Sequence, residues 1–276
     1  MEYNISEVLK SAKESLHRSG IIGEMDAVFL LEEVVGEKVN MASNISKEEY
    51  VRFQDFVERR KQHEPIDSII GYTEFMGLKI PFNKNTLTPR QETEIMVDNI
   101  VSDNKSRKDL KILDLCSGSG CIGLALKKHL NSRVALADIS PEALVQSKHN
   151  AEINKLDVEF IESDLFETVE EQFDIIVSNP PYIPSKDIES LETEVVDFDP
   201  VLALDGGVDG LDFYRNISKE SPKYLKDNGL IYLEFGIYQS QDIAQMFEEN
   251  FEDIEIKKDY NGIDRYLKAR KKSYVK

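Results

Sequence analysis

This chain of 276 residues has little cysteine and no histidine-rich or cysteine-rich segment. Its two cysteines, Cys116 and Cys121, lie in one Gly-rich segment and cannot form a disulfide framework. Four residues separate them and no histidine lies nearby, so we expect no bound metal. Two reduced thiols are typical of a cytoplasmic compartment.

Basic residues are also in deficit, with 34 Lys and Arg against 52 Asp and Glu and a net charge of -18. Proteins that bind duplex nucleic acid neutralise phosphates with Lys and Arg, so the charge argues against direct nucleic-acid binding and favours a basic protein partner. No apolar run approaches the roughly 20 residues of a membrane span, and the N-terminus lacks the pattern of a signal peptide. We expect a cytoplasmic monomer that does not contact a membrane.

The first part of the chain carries the pattern of a small helical domain, which we place at 1–66. Its apolar residues recur at helical spacing, and Ser46 followed by Glu49 forms a capping-box signal for a helix start. Short β-like runs then predict a β-hairpin linker at 67–85. The predicted helices of the first domain are 5–19, 24–35 and 46–63.

The rest of the chain, 86–276, alternates strands and helices, which predicts an α/β fold: a mostly parallel sheet with helices on both faces. A helix is expected to reach about Val101 before the first strand of this sheet. The predicted strands are 112–115, 133–137, 158–161, 173–177, 229–234, 253–258 and 264–270, and the predicted helices between them are 121–130, 141–154, 211–225 and 239–249.

The most informative motif is Asn179-Pro180-Pro181-Tyr182, which follows the apolar strand 173–177. The prolines fix φ and remove amide donors, so the loop is rigid and its carbonyls cannot join a helix. Ligands of open α/β sheets bind outside the carboxyl ends of the strands, where this loop would lie. An amide oxygen, an outward carbonyl and an aromatic ring suit a planar NH2 group as substrate.

A Gly-rich loop after the first strand of the sheet predicts a nucleotide-like cofactor. Its glycines let backbone amides approach a ligand at a helix N-terminus, and Asp138 ends the next strand, where a carboxylate can accept ribose hydroxyls. Gly118, Gly120 and Gly123 also match the G-x-G-x-x-G spacing of dinucleotide-binding proteins. The loop alone therefore leaves an NAD enzyme and an S-adenosylmethionine enzyme both open.

Two further features favour S-adenosylmethionine. Asp114 precedes the glycines and resembles the acid of the class I methyltransferase loop, and the segment 163–166 resembles the adenine-binding corner of those enzymes. Read alone, Asp114 or Asp164 could equally be a helix N-cap. The residues predicted to bind the cofactor are Cys116, Ser117, Gly118, Ser119, Gly120, Asp138, Asp164, Leu165 and Asn179.

With these motifs the chain resembles the release factor glutamine methyltransferase family (HemK/PrmC) over nearly its full length. The NPPY motif is shared with some nucleic-acid methyltransferases, whereas two other segments are more specific to this family. They are 88–94, Thr-Pro-Arg-Gln-Glu-Thr-Glu, and 202–214, which contains Leu-Asp-Gly-Gly and Asp-Gly-Leu.

The resemblance implies a class I methyltransferase fold with a helical N-terminal domain that docks the substrate. It implies methyl transfer from S-adenosylmethionine, leaving S-adenosylhomocysteine, to the glutamine side chain of the GGQ motif in class I peptide chain release factors. Asn179 and the carbonyl of Pro180 would accept the two amide hydrogens, and Tyr182 with Pro181 would hold the amide plane. These four residues are the predicted substrate site, and Asn179, Pro180 and Tyr182 are the predicted catalytic residues.

This chain departs from the family pattern at three positions. Cys116 stands where the family usually has glycine, Gln91 replaces a proline, and Leu165 occupies a position that is aromatic in some members. None of the three removes a polar group that the chemistry requires. Three other functions stay open on sequence alone: a nucleic-acid amine methyltransferase, an NAD oxidoreductase, and a methyltransferase-like binding protein without activity.

Overall fold

The computed structural model describes residues 2–22, 24–191, 195 and 199–273. It divides the chain into two compact units: one is built on the residues up to Tyr72, and the other on Thr73–Leu191 and the residues from Asp199 onwards. Among the described residues, no helix is both long and apolar enough to cross a membrane. The same residues contain no group of three or more His, Cys, Asp or Glu that could hold a metal ion.

The first unit is helical, as predicted, and its first and third helices begin at polar caps. The side chain of Asn4 accepts hydrogen bonds from the first-turn amides of the first helix. The third helix starts with the predicted capping box, in which the amide of Glu49 donates to Ser46 Oγ and the amide of Ser46 to the Glu49 carboxylate. The elements are β1 (Tyr3–Asn4), α1 (Ile5–Arg18), α2 (Glu24–Val35), β2 (Asn44–Ile45), α3 (Lys47–Lys61) and α4 (Ile66–Ile70).

The hairpin between the helical segments and the sheet is shorter than the predicted linker. It consists of β3 (Tyr72–Phe75) and β4 (Leu78–Pro81), whereas residues 67–70, at the start of the predicted linker, belong to the short helix α4 (Ile66–Ile70). Isoleucine favours strands, but Ile69 is buried in the helical core of the first unit, and such packing overrides an intrinsic β preference. Gly71 ends α4 with a φ of 82°, which glycine adopts without strain.

The second unit contains a seven-stranded sheet with the order β10-β11-β9-β8-β5-β6-β7. All pairs from β9 to β7 are parallel, and β11 pairs antiparallel with both β9 and β10. Its strands are β5 (Leu110–Leu115), β6 (Ser132–Asp138), β7 (Glu159–Glu162), β8 (Phe173–Ser178), β9 (Leu225–Glu234), β10 (Phe251–Lys258) and β11 (Asp264–Lys271). Its helices are α5 (Gln91–Asn104), α6 (Cys121–His129), α7 (Pro141–Asn154), α8 (Asp212–Tyr224) and α9 (Ser240–Phe247).

Both faces of this sheet are covered, which explains the continuous apolar runs of its central strands. Alternate residues of each strand join different cores. One core contains residues from the hairpin, α5 and α6, and the other contains residues from α8 and α9. From the three central strands, Ile112, Ile175 and Tyr232 belong to the first core, and Leu113, Ile176 and Leu233 belong to the second.

The chain order creates a switch point beside β5. From β5 the chain proceeds through β6 to β7 on one side, then crosses to β8 and β9 on the other. Connections leaving β5 and β8 in opposite directions open a crevice at the carboxyl ends of these strands, which is where open α/β sheets bind ligands. The Gly-rich loop follows β5 and the NPPY motif follows β8, so both predicted motifs border this crevice.

The three glycines of the G-x-G-x-x-G pattern have different structural roles. Gly118 and Gly120 have positive φ values of 53° and 77°, whereas Gly123 lies inside α6 where that helix packs on the sheet. A Cβ at Gly123 would come within 2.2 Å of Leu136 Cδ2 and 3.0 Å of Asp114 Oδ2. Close helix–strand packing is thus the reason for glycine at this third position.

We therefore predict that Gly123→Ala lowers the free energy of unfolding by about 1–3 kcal/mol, because it overpacks a filled core. Combining it with Leu136→Ala should relieve the contact, so the double variant should lose less stability than the two single variants together, by at least about 0.5 kcal/mol. Chemical denaturation of the four proteins measures this coupling. Strict additivity would show that Leu136 is not what excludes the extra methyl group.

Candidate active site

A cavity of about 280 Å³ is lined by residues at the carboxyl ends of the central strands. Those lining residues that the structure describes all belong to the second unit. They come from the loops after β5, β6, β7 and β8, from the first turns of α6 and α7, from the segment before α5 and its first turn, and from residues 200–213. The lining includes nine of the predicted site residues, namely Cys116, Ser117, Gly118, Ser119, Asp138, Asp164, Leu165, Asn179 and Pro181.

The loop after β5 turns sharply through left-handed backbone conformations. Cys116 has a φ of 57°, and Gly118 and Gly120 follow with φ values of 53° and 77°. A residue with a Cβ is disfavoured in this region, which explains why glycine is usual at the position of Cys116 in the family that the chain resembles. Burial raises the pKa of the Cys116 thiol well above its usual value, so this cysteine is a poor nucleophile.

Asp138 anchors the same loop from the end of β6. One carboxylate oxygen accepts a hydrogen bond from the amide of Gly118 at 2.7 Å, and the other accepts from the amide of Ser140 at 2.9 Å. Burial raises the pKa of Asp138, and the two amides oppose that shift. Each carboxylate oxygen keeps a further lone pair, so Asp138 can hold the loop and still accept hydrogen bonds from a ligand.

Asp114 lies behind the loop rather than in the cavity wall. Its side chain is fully buried, and Oδ2 accepts a hydrogen bond from the amide of Gly123 in the first turn of α6 at 2.7 Å. Burial raises the pKa of Asp114 to about 8. Its Oδ1 and the hydroxyl of Ser117, which does line the cavity, have no hydrogen-bond partner in the described part of the chain.

Asn179 is held by a residue that sequence reasoning did not identify. Its amide nitrogen Nδ2 donates a hydrogen bond to Glu234 Oε1 at 2.9 Å, and Glu234 is the last residue of β9. Glu234 is 5% exposed, and burial raises its pKa to about 7. The sequence does contain a signal for Glu234, because this acid ends the predicted apolar strand 229–234. Asp138 is predicted as a site residue from the same pattern, an acid at the end of a strand.

Three of the predicted site residues are absent from the described cavity lining: Gly120, Pro180 and Tyr182. In the NPPY loop, Asn179 and Pro181 line the cavity, whereas the residues that alternate with them do not. Tyr182 packs its ring on Gly236, where an added Cβ would come within 2.9 Å of the ring. The carbonyl of Tyr182 accepts a hydrogen bond from Gln239 Nε2 at 2.9 Å. Burial raises the pKa of the Tyr182 hydroxyl to about 12, so it stays protonated. Stacking of Tyr182 on a substrate therefore remains a prediction.

Two segments far apart in sequence, 86–93 and 200–213, supply another part of the cavity lining. Asp199, just before the second segment, connects it to the first by hydrogen bonds. One oxygen of its buried carboxylate accepts hydrogen bonds from the amide and the hydroxyl of Thr88 at 3.1 and 3.2 Å. The other accepts from Arg90 Nη2 at 2.5 Å. The residues that these segments add to the lining include Thr86, Leu87, Pro89, Arg90, Thr93, Pro200, Leu202, Ala203 and Phe213.

The Asp-Gly-Gly segment at 205–207 lies against the NPPY loop. The amide of Ile183 donates to the carbonyl of Leu204 at 2.9 Å, and the amide of Gly206 donates to the carbonyl of Ile183 at 2.8 Å. A Cβ at Gly206 would come within 2.8 Å of the Tyr182 backbone, so only glycine fits there. Both segments that made the resemblance specific thus shape the candidate site, a role that sequence reasoning had not assigned to them.

Solved structures share this fold at low sequence identity. A methyltransferase from Pyrococcus furiosus matches with a TM-score of 0.52 at 18% identity, covering 70% of this chain and 89% of that chain. The T. thermophilus 16S rRNA N2 methyltransferase RsmC, solved with AdoMet and guanosine, matches with a TM-score of 0.53 at 17% identity, covering 73% and 50%. The second unit therefore has the class I S-adenosylmethionine-dependent methyltransferase fold, Rossmann-like with a mostly parallel sheet.

Sequence comparisons are more specific. Family models match at residues 90–197 (Methyltransferase small domain) and 7–71 (PrmC N-terminal domain). Release factor glutamine methyltransferases are 38% identical in Agrobacterium fabrum, over 97% of both chains, and 40% identical in Geobacter sulfurreducens, over 86% of this chain and 84% of that protein. This chain belongs to the release factor glutamine methyltransferase family.

The geometry of Asp138 leads to a binding prediction. Asp138→Ala removes a carboxylate that lines the cavity and the two hydrogen bonds by which it holds the loop. A hydrogen bond to a charged group contributes about 1.5–3 kcal/mol, so the affinity for S-adenosylmethionine should fall at least tenfold. Glu152→Ala, which changes an exposed acid on α7 outside the described cavity lining, should leave affinity unchanged. Calorimetry with S-adenosylmethionine and NAD measures both; tight binding of NAD alone would contradict the cofactor assignment.

Proposed function

We propose that this protein transfers a methyl group from S-adenosylmethionine to the side-chain amide nitrogen of the glutamine in the GGQ motif of class I peptide chain release factors, and so supports translation termination. Membership of the release factor glutamine methyltransferase family supports this substrate. The observation that carries the chemistry is the orientation of Asn179. Its nitrogen is tied to Glu234, so its oxygen is the end of the amide left to accept a hydrogen bond in the cavity.

The cavity residues fit the proposed cofactor. The unpartnered hydroxyl of Ser117 and the carboxylate of Asp138 supply acceptors suited to a ribose and an amino acid moiety. Leu165 and Ile139 supply an apolar wall suited to an adenine ring, and the exposed acid Asp164 can accept from an exocyclic amine. When bound, S-adenosylmethionine supplies a methyl group activated by a sulfonium centre.

The role of the protein in this reaction is to orient a weak nucleophile. The lone pair of an amide nitrogen is delocalised into its carbonyl, so the substrate amide must be held with that lone pair directed at the methyl group. Asn179 Oδ1 and the Pro180 carbonyl would each accept one N–H of the glutamine amide, and Tyr182 with Pro181 would hold its plane. Positioning of this kind can account for a large part of the acceleration.

No general base is required by this scheme, because the nitrogen loses its proton readily once it is methylated. The charge of -18 suits a basic protein substrate better than a nucleic acid. We further propose a monomer that acts in the cytoplasm, without nucleic acid or membrane. The two unpaired cysteines support a reducing compartment.

The helical unit, which contains the predicted domain 1–66 and extends to Tyr72, is proposed to dock the release factor. It has its own core, and every described lining residue of the cavity comes from Asn85 or later. Two apolar side chains one helical turn apart on α2, Met25 and Phe29, are 71% and 42% exposed. Two exposed apolar side chains on one face of a helix suit a protein contact better than solvent.

The proposed reaction predicts that the protein labels a purified release factor from labelled S-adenosylmethionine, and that it does not label the same factor with the GGQ glutamine changed to alanine. Asn179→Ala should keep the fold and, at saturating S-adenosylmethionine, lower turnover by at least about 10²-fold, because the substrate amide loses an acceptor held at a fixed position. Tyr182→Phe should lose little, as its hydroxyl has no role in the scheme. Turnover of Asn179→Ala near that of the parent would show that another group holds the amide.

The docking role predicts a separation between substrates. Met25→Ser/Phe29→Ser should raise KM for the whole release factor at least about fivefold, which corresponds to about 1 kcal/mol of lost contact. Methylation of a short GGQ peptide should not change. Met41→Ser/Val51→Ser, which removes two other apolar side chains of this unit that are 49% and 59% exposed, serves as the matched control. Equal effects of both pairs, or an effect on the peptide, would contradict docking through α2.

A further inference from the structure

We infer that Glu234 is a positioning residue: its carboxylate accepts the NH2 of Asn179 and so directs the Asn179 oxygen toward the substrate amide. This inference rests on the proposed function, because it concerns how the substrate amide is held. It adds a residue outside the NPPY motif to the machinery of the reaction.

The sheet places the two residues side by side. β8 and β9 are parallel neighbours, with Ser178 paired with Leu233. The next residues along the chain, Asn179 just after β8 and Glu234 at the end of β9, therefore lie at the same level. The resulting contact joins Nδ2 and Oε1 at 2.9 Å. Tyr214 steadies the end of β9, since its hydroxyl donates to the Glu234 carbonyl at 2.7 Å.

The direction of this hydrogen bond determines which end of the Asn179 amide faces the substrate. An ionised carboxylate only accepts hydrogen bonds, so only the NH2 of Asn179 can face it. The reverse orientation would place the Asn179 oxygen against a carboxylate oxygen and present an NH2 to a substrate NH2, where neither group can accept. A neutral partner at position 234 would allow both orientations.

The protonation state of Glu234 therefore matters for the reaction. Burial raises its pKa to about 7, so the carboxylate is ionised above that pH and protonated below it. The titratable and charged groups that face it from the neighbouring elements are Arg265 on β11, Glu92 on α5, Tyr182 in the NPPY loop, Tyr214 on α8 and Cys121 on α6. Of these, only Arg265 is cationic, and it is also paired with Asp259 at 2.9 Å.

A reciprocal exchange of the two side chains tests the inference on the full chain with a release factor as substrate. Asn179→Asp places two carboxylates against each other, and turnover should fall at least about 10²-fold. In Asn179→Asp/Glu234→Gln the new amide can donate to the new carboxylate, whose other oxygen can still accept from the substrate. This double variant should recover at least about tenfold over Asn179→Asp, a coupling that a merely structural role would not produce.

The pH dependence of turnover provides the second measurement. The parent protein should gain activity as pH rises through about 7, and Glu234→Gln should be slower by roughly tenfold at pH 8 and lose this dependence, since it has no group to ionise. Glu92→Gln, which removes an exposed acid of the same neighbourhood that does not touch Asn179, should keep the parent's pH profile apart from a small shift. Calorimetry with S-adenosylmethionine on every variant shows whether the fold is intact.

A Glu234→Gln protein with the parent's turnover and pH profile would overturn the inference. A double variant that binds S-adenosylmethionine but is no faster than Asn179→Asp would also overturn it. A parent protein that binds S-adenosylmethionine but does not methylate the release factor would instead contradict the proposed function, so the two failures are distinguishable.

Discussion

The candidate site depends on the parallel register of β5, β8 and β9. These strands are buried on both faces, and their carboxyl ends stop at one edge of the sheet. That edge brings together the Gly-rich loop, Asn179 and Glu234. A shift of one residue in β9 would exchange its two faces and move its final carboxylate away from Asn179. The apolar cores that set the register therefore also set the geometry of the site.

The protein keeps buried carboxylates at this edge although burying them is unfavourable. Burial raises the pKa of Asp114 to about 8 and that of Glu234 to about 7. Each carboxylate accepts a hydrogen bond that orients a neighbouring group: the amide of Gly123 for Asp114, and the side chain of Asn179 for Glu234. Acids that reduce stability but orient a ligand-binding loop or an amide are characteristic of functional sites.

The later part of the chain completes the site. Asp199 accepts hydrogen bonds from Thr88 and Arg90, and Gln239 donates to the carbonyl of Tyr182. These contacts hold the segment before α5 over the cavity and keep the NPPY loop against the segment that contains Gly206. The site is thus a composite of loops whose positions are set by side-chain hydrogen bonds as well as by the sheet.

Sequence by itself determined the elements and motifs that rely on local physical chemistry. Apolar periodicity located the main helices and strands, prolines marked the rigid loop at Asn179, and glycines marked the left-handed turn after β5. Family motifs indicated the methyltransferase class, which the comparisons confirm. These signals lie within short stretches, where backbone preferences and period are sufficient.

Only the tertiary structure decided which distant side chains meet. The pairing of Asn179 with Glu234 spans 55 residues, and that of Thr88 with Asp199 spans 111. Neither follows from propensity, because strand order and register place these residues together. The same holds for α4, where packing of Ile69 in the helical core outweighed a local β preference. Local chemistry could propose the reacting groups, but their orientation required the fold.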